Sequence, residues 1–153
     1  MNKKLLPACL ALIFGASAGY ALNAFAQAKP DVLVKQRQAV MVLHGKYWGP
    51  LNGMAQGKAP YDAAIVARNA GFLDALSKMP WDGFTPATKD IQSRSLPAVF
   101  DDPAKFKEAQ DRYQAAIAKL VAASKGGDEG AFKAVAGEVG KSCCGCHESF
   151  RAK

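Results

Sequence analysis

The amino-acid sequence predicts an all-α fold, an antiparallel four-helix bundle. Three observations lead there. Apolar residues recur at the helical period in four segments. Capping residues and Gly or Pro breaks separate those segments, mostly by short connections. No segment alternates apolar and polar residues over the length of a strand.

The first 26 residues stand outside this fold. Met1-Asn2-Lys3-Lys4 is a short basic start, Leu5 to Leu22 carries no charge, and Ala24-Phe25-Ala26 has the small-x-small form after which signal peptidase cuts. The uncharged run is near the minimum length of a membrane span. Pro7, Gly15, Gly19 and the cleavage pattern favour a removed export signal, with no stable membrane insertion. Leu6-Pro7-Ala8-Cys9 only faintly resembles a lipoprotein cleavage site, because almost no apolar stretch precedes Cys9.

Residues 27–153 read as a single domain. The first helix covers 31–56, with Leu33, Val34, Val40, Met41, His44, Tyr47, Trp48, Leu51 and Met54 on one broad buried face. Gly49-Pro50 is expected to kink it or to split off its last turns. A second helix starts after Pro60, with Asp62 early and Ile65, Phe72, Leu73 and Leu76 inward, and stops at Pro80. Residues 80–100 have no period and four breaks, at Pro80, Gly83, Pro86 and Pro97, yet they stay apolar. A loop this long and this apolar is expected to pack on something. Asp102 caps the third helix and Pro103 fits its first position, where no amide donor is needed. Phe106, Tyr113, Ile117 and Leu120 carry its stripe to Gly126-Gly127. Asp128 caps the fourth, which buries Phe132, Val135 and Val139 and runs into Cys143.

Cleavage before Gln27 leaves 127 residues with 18 basic and 13 acidic side chains, a net charge of +5 with His neutral. The two signs alternate along the chain without forming a basic stripe, which argues against nucleic acid and suits an acidic protein partner. Cleavage also removes Cys9. The remaining Cys143, Cys144 and Cys146 are an odd, crowded set and a poor disulfide framework.

They have another reading. Cys143-Cys144-Gly145-Cys146-His147 is a C-x-x-C-H string, the pattern of c-type haem attachment. On a helix, positions i, i+3 and i+4 share a face, so Cys143 and Cys146 reach the two vinyl groups of one porphyrin while His147 points at its iron. Val135 and Val139 continue that face as an apolar wall, and Cys144 points about a quarter turn away. A thioredoxin-like pair needs a strand leading into a helix with the cysteines at its start, whereas these lie near a helix end. A structural zinc site needs four ligands, and only Cys144 and His44 remain. A plain disulfide leaves His147 unexplained.

Residues 139–151, Val-Gly-Lys-Ser-Cys-Cys-Gly-Cys-His-Glu-Ser-Phe-Arg, closely resemble the C-terminal signature of cytochrome c′, a class II cytochrome c. Lys35 to Ala39, Gly57 to Ala63, Leu76 to Phe84 and Asp102 to Phe106 match the family as well. The resemblance implies a four-helix bundle with one covalent haem c between its helices. It puts Arg37 and Gln38 beside the haem edge, His147 as proximal ligand, Arg151 next to it, and Met41 on the distal face. It also implies a homodimer built through the first two helices. The chain departs from the family at Phe84-Thr85-Pro86-Ala87-Thr88, where members often carry Gly-Pro-Gly-Thr after the Phe, and at Arg94, often acidic.

The residues themselves leave several roles open. Arg37 inside a buried stripe suits a propionate partner better than a solvated charge. Met41 is a core filler or a sixth iron ligand, and His44 a hydrogen-bonded core histidine or an outside ligand candidate. Trp81 and Phe84 read as pocket walls, and Cys144 as a spectator thiol. Two functions follow: one-electron transfer with periplasmic redox partner proteins, and reversible capture of small diatomic ligands, nitric oxide or carbon monoxide. The family resemblance, with Gly49-Pro50 and the run from Pro80 to Phe84, favours a five-coordinate, high-spin iron with Met41 packed above it. The alternative is a six-coordinate, low-spin carrier ligated by His147 and Met41. An enzyme is not expected, since apart from His44 the chain offers no distal acid or base for peroxide cleavage.

Overall fold

The computed structural model describes residues 28–153; the export signal read in residues 1–26 and the Cys9 motif lie outside them. Each long helix begins where the sequence removes a free amide or supplies it with a partner. Helix α1, Pro30–Ala55, opens on a proline. Asp62 caps α2, Ala63–Leu76, by accepting from the Ile65 amide (2.9 Å). Asp102 does the same for α4, Pro103–Ser124 (Lys105 amide, 3.1 Å), and Asp128 for α5, Glu129–Phe150. Gly127 takes a left-handed backbone (φ +66°) in the turn between α4 and α5, which a side chain would resist.

The four long helices close a ring in which α1 packs on α2 and α5, and α4 on α2 and α5. The main core runs through its middle, where Leu51, Leu73, Ile117, Leu120, Phe132 and Val139 are fully buried. A smaller cluster of Val99, Ala109 and Phe150 caps the end at which α1 and α4 start and α2 and α5 finish.

Three expectations need correction. Helix α1 runs through Pro50 as one helix, so its last turns are not a separate piece. Its buried face is narrower than the apolar pattern suggested: Val34, Arg37, Leu51 and Met54 are buried, while Met41 is 38 % exposed. Phe72 does not face inward; it is exposed and rests on the Tyr47 ring (4.6 Å between centroids), so its apolar contact lies on the outside of the α1–α2 pair. Helix α5 carries the whole Cys143–His147 motif, as expected, and runs on to Phe150, whose side chain packs in the smaller cluster.

The apolar connection from 77 to 102 is a strap across the end of the bundle. It holds two short 3-10 turns, Trp81–Gly83 and Pro86–Thr88, and one helical turn, α3, Ala98–Asp101. Its apolar residues pack on the bundle: Phe84 meets Phe106 edge to face (4.9 Å), Phe106 meets Phe150 (5.2 Å), and the Trp81 indole donates to the Ser77 carbonyl (2.6 Å).

Candidate cofactor site

The strap, α1 and the last turns of α5 enclose a cleft. Because α5 is continuous there, Cys143, Cys146 and His147 fall on one face and all line it, while Cys144 is exposed on another face. The cleft has two lobes, of about 360 and 410 Å³, each the size of a small-molecule pocket. Met41, Trp81, Cys146, His147 and Arg151 line both. The first lobe adds Arg37, Gln38, Phe84 and Phe106; the second adds His44, Trp48, Tyr113, Val139 and Cys143. Every residue expected at the site is therefore in one cleft. Val135 is the exception among the expected walls. It packs on the main core instead, one turn too far from the cleft.

Arg37 is the least expected in its surroundings. It is 4 % exposed, and no ion pair of the described residues includes it. Its guanidinium donates to the Gly83 carbonyl (2.9 Å), Thr88 Oγ1 (3.2 Å) and Ser93 Oγ (3.2 Å), and lies over the Phe84 ring at 4.3 Å. Thr88 is fully buried and donates in turn to the Thr85 carbonyl (2.8 Å). Gly83 eases this close approach: a Cβ there would stand a tight 3.1 Å from the Leu33 carbonyl oxygen. A buried cation held only by neutral acceptors carries uncompensated charge, and burial lowers its pKa. No acidic side chain lines either lobe.

The other end of the strap is sewn to the residues after His147. The Leu96 amide donates to the Phe150 carbonyl (2.9 Å), the Ala152 amide to the Arg94 carbonyl (2.8 Å), and the Arg94 guanidinium to the Ala152 carbonyl (2.9 Å). Ser95 and Arg151 thereby form an isolated antiparallel bridge. Gly83, Thr88, Ser93 and Arg94 were not singled out as site contacts from the chain, and no local pattern marks them, since they meet Arg37 or residue 152 from 46 to 58 positions away.

The electrostatics suit attachment better than redox exchange. Burial pushes the Cys143 thiol up to about 11 and raises Cys146 as well, opposite to the lowered values of a reactive dithiol. The three thiols are free. Partial desolvation, then the charges of Arg151 and Arg94, lower the pKa of His147 and favour the neutral, metal-binding imidazole. His44 is also kept neutral by burial; its Nδ1 meets the Val40 carbonyl (2.8 Å), and its Nε2 is buried without a partner. Among the described residues no three His, Cys, Asp or Glu side chains gather as ligands of a metal ion, so a zinc site has no ligand set. Two thiols, an adjacent imidazole, aromatic walls and a buried cation lacking a carboxylate fit one planar, apolar group with acidic substituents at one edge. Haem is such a group.

Residues 32–151 match the family model described as Cytochrome C'. The cytochrome c' of Rubrivivax gelatinosus is 43 % identical over 126 residues, covering 82 % of this chain and 98 % of the relative. The crystal structure of that protein superposes with a TM-score of 0.78 at 42 % identity, over 81 % of this chain and 98 % of its own. A nitric oxide complex of a mutant cytochrome c prime from Alcaligenes xylosoxidans superposes at 0.76 with 39 % identity, covering 82 % and 98 %.

Proposed function

This chain belongs to the cytochrome c′ family, and on that premise we propose a periplasmic haem c protein that binds nitric oxide or carbon monoxide and passes single electrons. The observation that carries the reading is the cleft itself: Cys143, Cys146 and His147 line one surface together with a buried arginine that has no acid of its own. Haem, when bound, supplies an iron that takes up an electron or a small gas. Cys143 and Cys146 hold the group by thioethers, His147 presents its neutral imidazole to the metal, and Arg37 neutralises a propionate at the edge, with Gln38 beside it. Arg151 places a positive charge next to His147.

Met41 and Trp81 line both lobes from the side opposite α5. Such apolar and aromatic walls suit small uncharged ligands, which supports an open distal position over Met41 ligation. The nitric oxide complex of a relative supports the same reading. No described helix is long and apolar enough to cross a membrane. Val42 (72 % exposed), Leu43 and Phe72 (44 %) leave apolar surface on α1 and α2, which supports a homodimer through those helices; sedimentation equilibrium tests it.

The deciding measurement is the optical spectrum of both oxidation states with and without nitric oxide. A high-spin ferrous spectrum that nitric oxide changes directly is expected. A low-spin spectrum indifferent to the gas would refute gas binding and leave the six-coordinate electron carrier.

A further inference from the structure

We propose that Arg94 and Arg151 form the docking surface for an acidic one-electron partner protein, an inference that rests on the electron-transfer half of the function above. Both side chains are exposed, and both line the cleft beside Cys146 and His147, where a partner would come closest to the cofactor. Their backbones are fixed against each other by the Ser95–Arg151 bridge and the paired bonds between residues 94 and 152, so the two charges are held in place instead of drifting on free loops. One Arg94 nitrogen already donates to Ala152, which holds the side chain at the rim.

The cleft carries one sign of charge. Arg37, Arg94 and Arg151 line it, and no Asp or Glu does; Asp82, Asp90 and Glu148 are nearby in sequence but are not part of its lining. Two haem propionates would still leave one of these three guanidiniums in excess. Elsewhere among the described residues, eight exposed ion pairs cancel charge locally, among them Lys89–Asp101 and Lys119–Glu138. A one-signed cleft with aromatic walls of low dielectric focuses its field outward and steers an oppositely charged partner. Arg37 is buried, so the partner meets the exposed pair.

The test is stopped-flow oxidation of the ferrous mature holoprotein by hexacyanoferrate(III), an anion, and by tris(phenanthroline)cobalt(III), a cation, across ionic strength. Raising salt from about 10 to about 300 mM should slow the anion reaction roughly tenfold and not slow the cation reaction. Arg94→Gln with Arg151→Gln should cut that salt effect to about twofold. Lys58→Gln with Lys125→Gln removes the same net charge from the opposite end of the bundle, where neither lysine has an ion-pair partner, and should leave the effect near wild type. The slope against ionic strength does not depend on driving force, so altered reduction potentials in the variants do not imitate the result. Poly-glutamate should inhibit the anion reaction at low salt, and poly-lysine should not. Equal loss of slope in both double variants, or no slope at all, would overturn the docking surface while leaving electron transfer intact. Failure to react with either oxidant would overturn electron transfer itself.

Discussion

Replacing Arg37 by Met keeps an unbranched apolar stem and removes the guanidinium with its charge and all its donors. Three hydrogen bonds to Gly83, Thr88 and Ser93 and the contact over Phe84 disappear together. At about 1 kcal/mol net for each bond and about 1 more for the ring contact, the gross loss is about 4 kcal/mol. Taking a cation out of a buried site recovers roughly 1–2 kcal/mol of desolvation. The balance is about 2–3 kcal/mol, and a propionate on the guanidinium in the holoprotein would add to it. At about 4 °C per kcal/mol for a domain of this size, the melting temperature should fall by roughly 8–12 °C. Thermal unfolding of the mature holoprotein, followed by circular dichroism, reads this directly. Arg37→Lys retains the charge but reaches fewer acceptors at once and should fall between the two. A methionine variant melting within about 2 °C of wild type would mean that the strap does not depend on Arg37.

Mass spectrometry of the mature protein should find one haem on the peptide containing Cys143 and Cys146, resistant to acid–organic extraction; Cys143→Ser or Cys146→Ser should leave at most one thioether, and Cys144→Ser should change little. Arg151→Gln should lower the reduction potential, because a positive charge beside His147 disfavours the extra charge of the ferric state; an unchanged or raised potential with the fold intact would contradict that role. Met41→Ala should speed ligand entry without altering the resting spin state, and a resting low-spin spectrum that turned high-spin would identify Met41 as a ligand. The pKa of His44 is lowered by burial, against the smaller opposing pull of its Val40 bond. As pH falls below the unfolded value of 6.5, the unfolded chain takes up the proton first and the native state loses stability, a loss complete only below the folded value. The drop in melting temperature between pH 7 and pH 5 should therefore be smaller in His44→Gln than in wild type.

Elements governed by local rules were legible in the chain. Asp62, Asp102 and Asp128 announce helix starts because capping needs only a side chain and an amide three residues on. The haem motif is legible for the same reason, one helical turn bringing its three residues to one face. Non-local features were not. The end of α5 is set by Phe150 packing with Val99, Ala109 and Phe106, contacts that no local pattern marks. Phe72 looks like core by periodicity, yet it stays exposed with its ring resting on Tyr47 of α1. Arg37 could be assigned to the cleft, but its acceptors are on a strap without period, and only the folded chain brings them together.

The proline inside α1 divides the labour of that helix. Pro50 has no amide hydrogen to give the Lys46 carbonyl, so the rungs of the helical ladder are interrupted at that level. Below the gap, Leu51 and Met54 anchor the last turn in the main core; above it lie Arg37, Met41, His44 and Trp48, which line the cleft. A helix of continuous rungs would tie any opening of the cleft wall to the core. The missing rung loosens that tie along the backbone, while Tyr47 and Trp48, on the cleft side of the gap, still join the wall to the main core by packing against it.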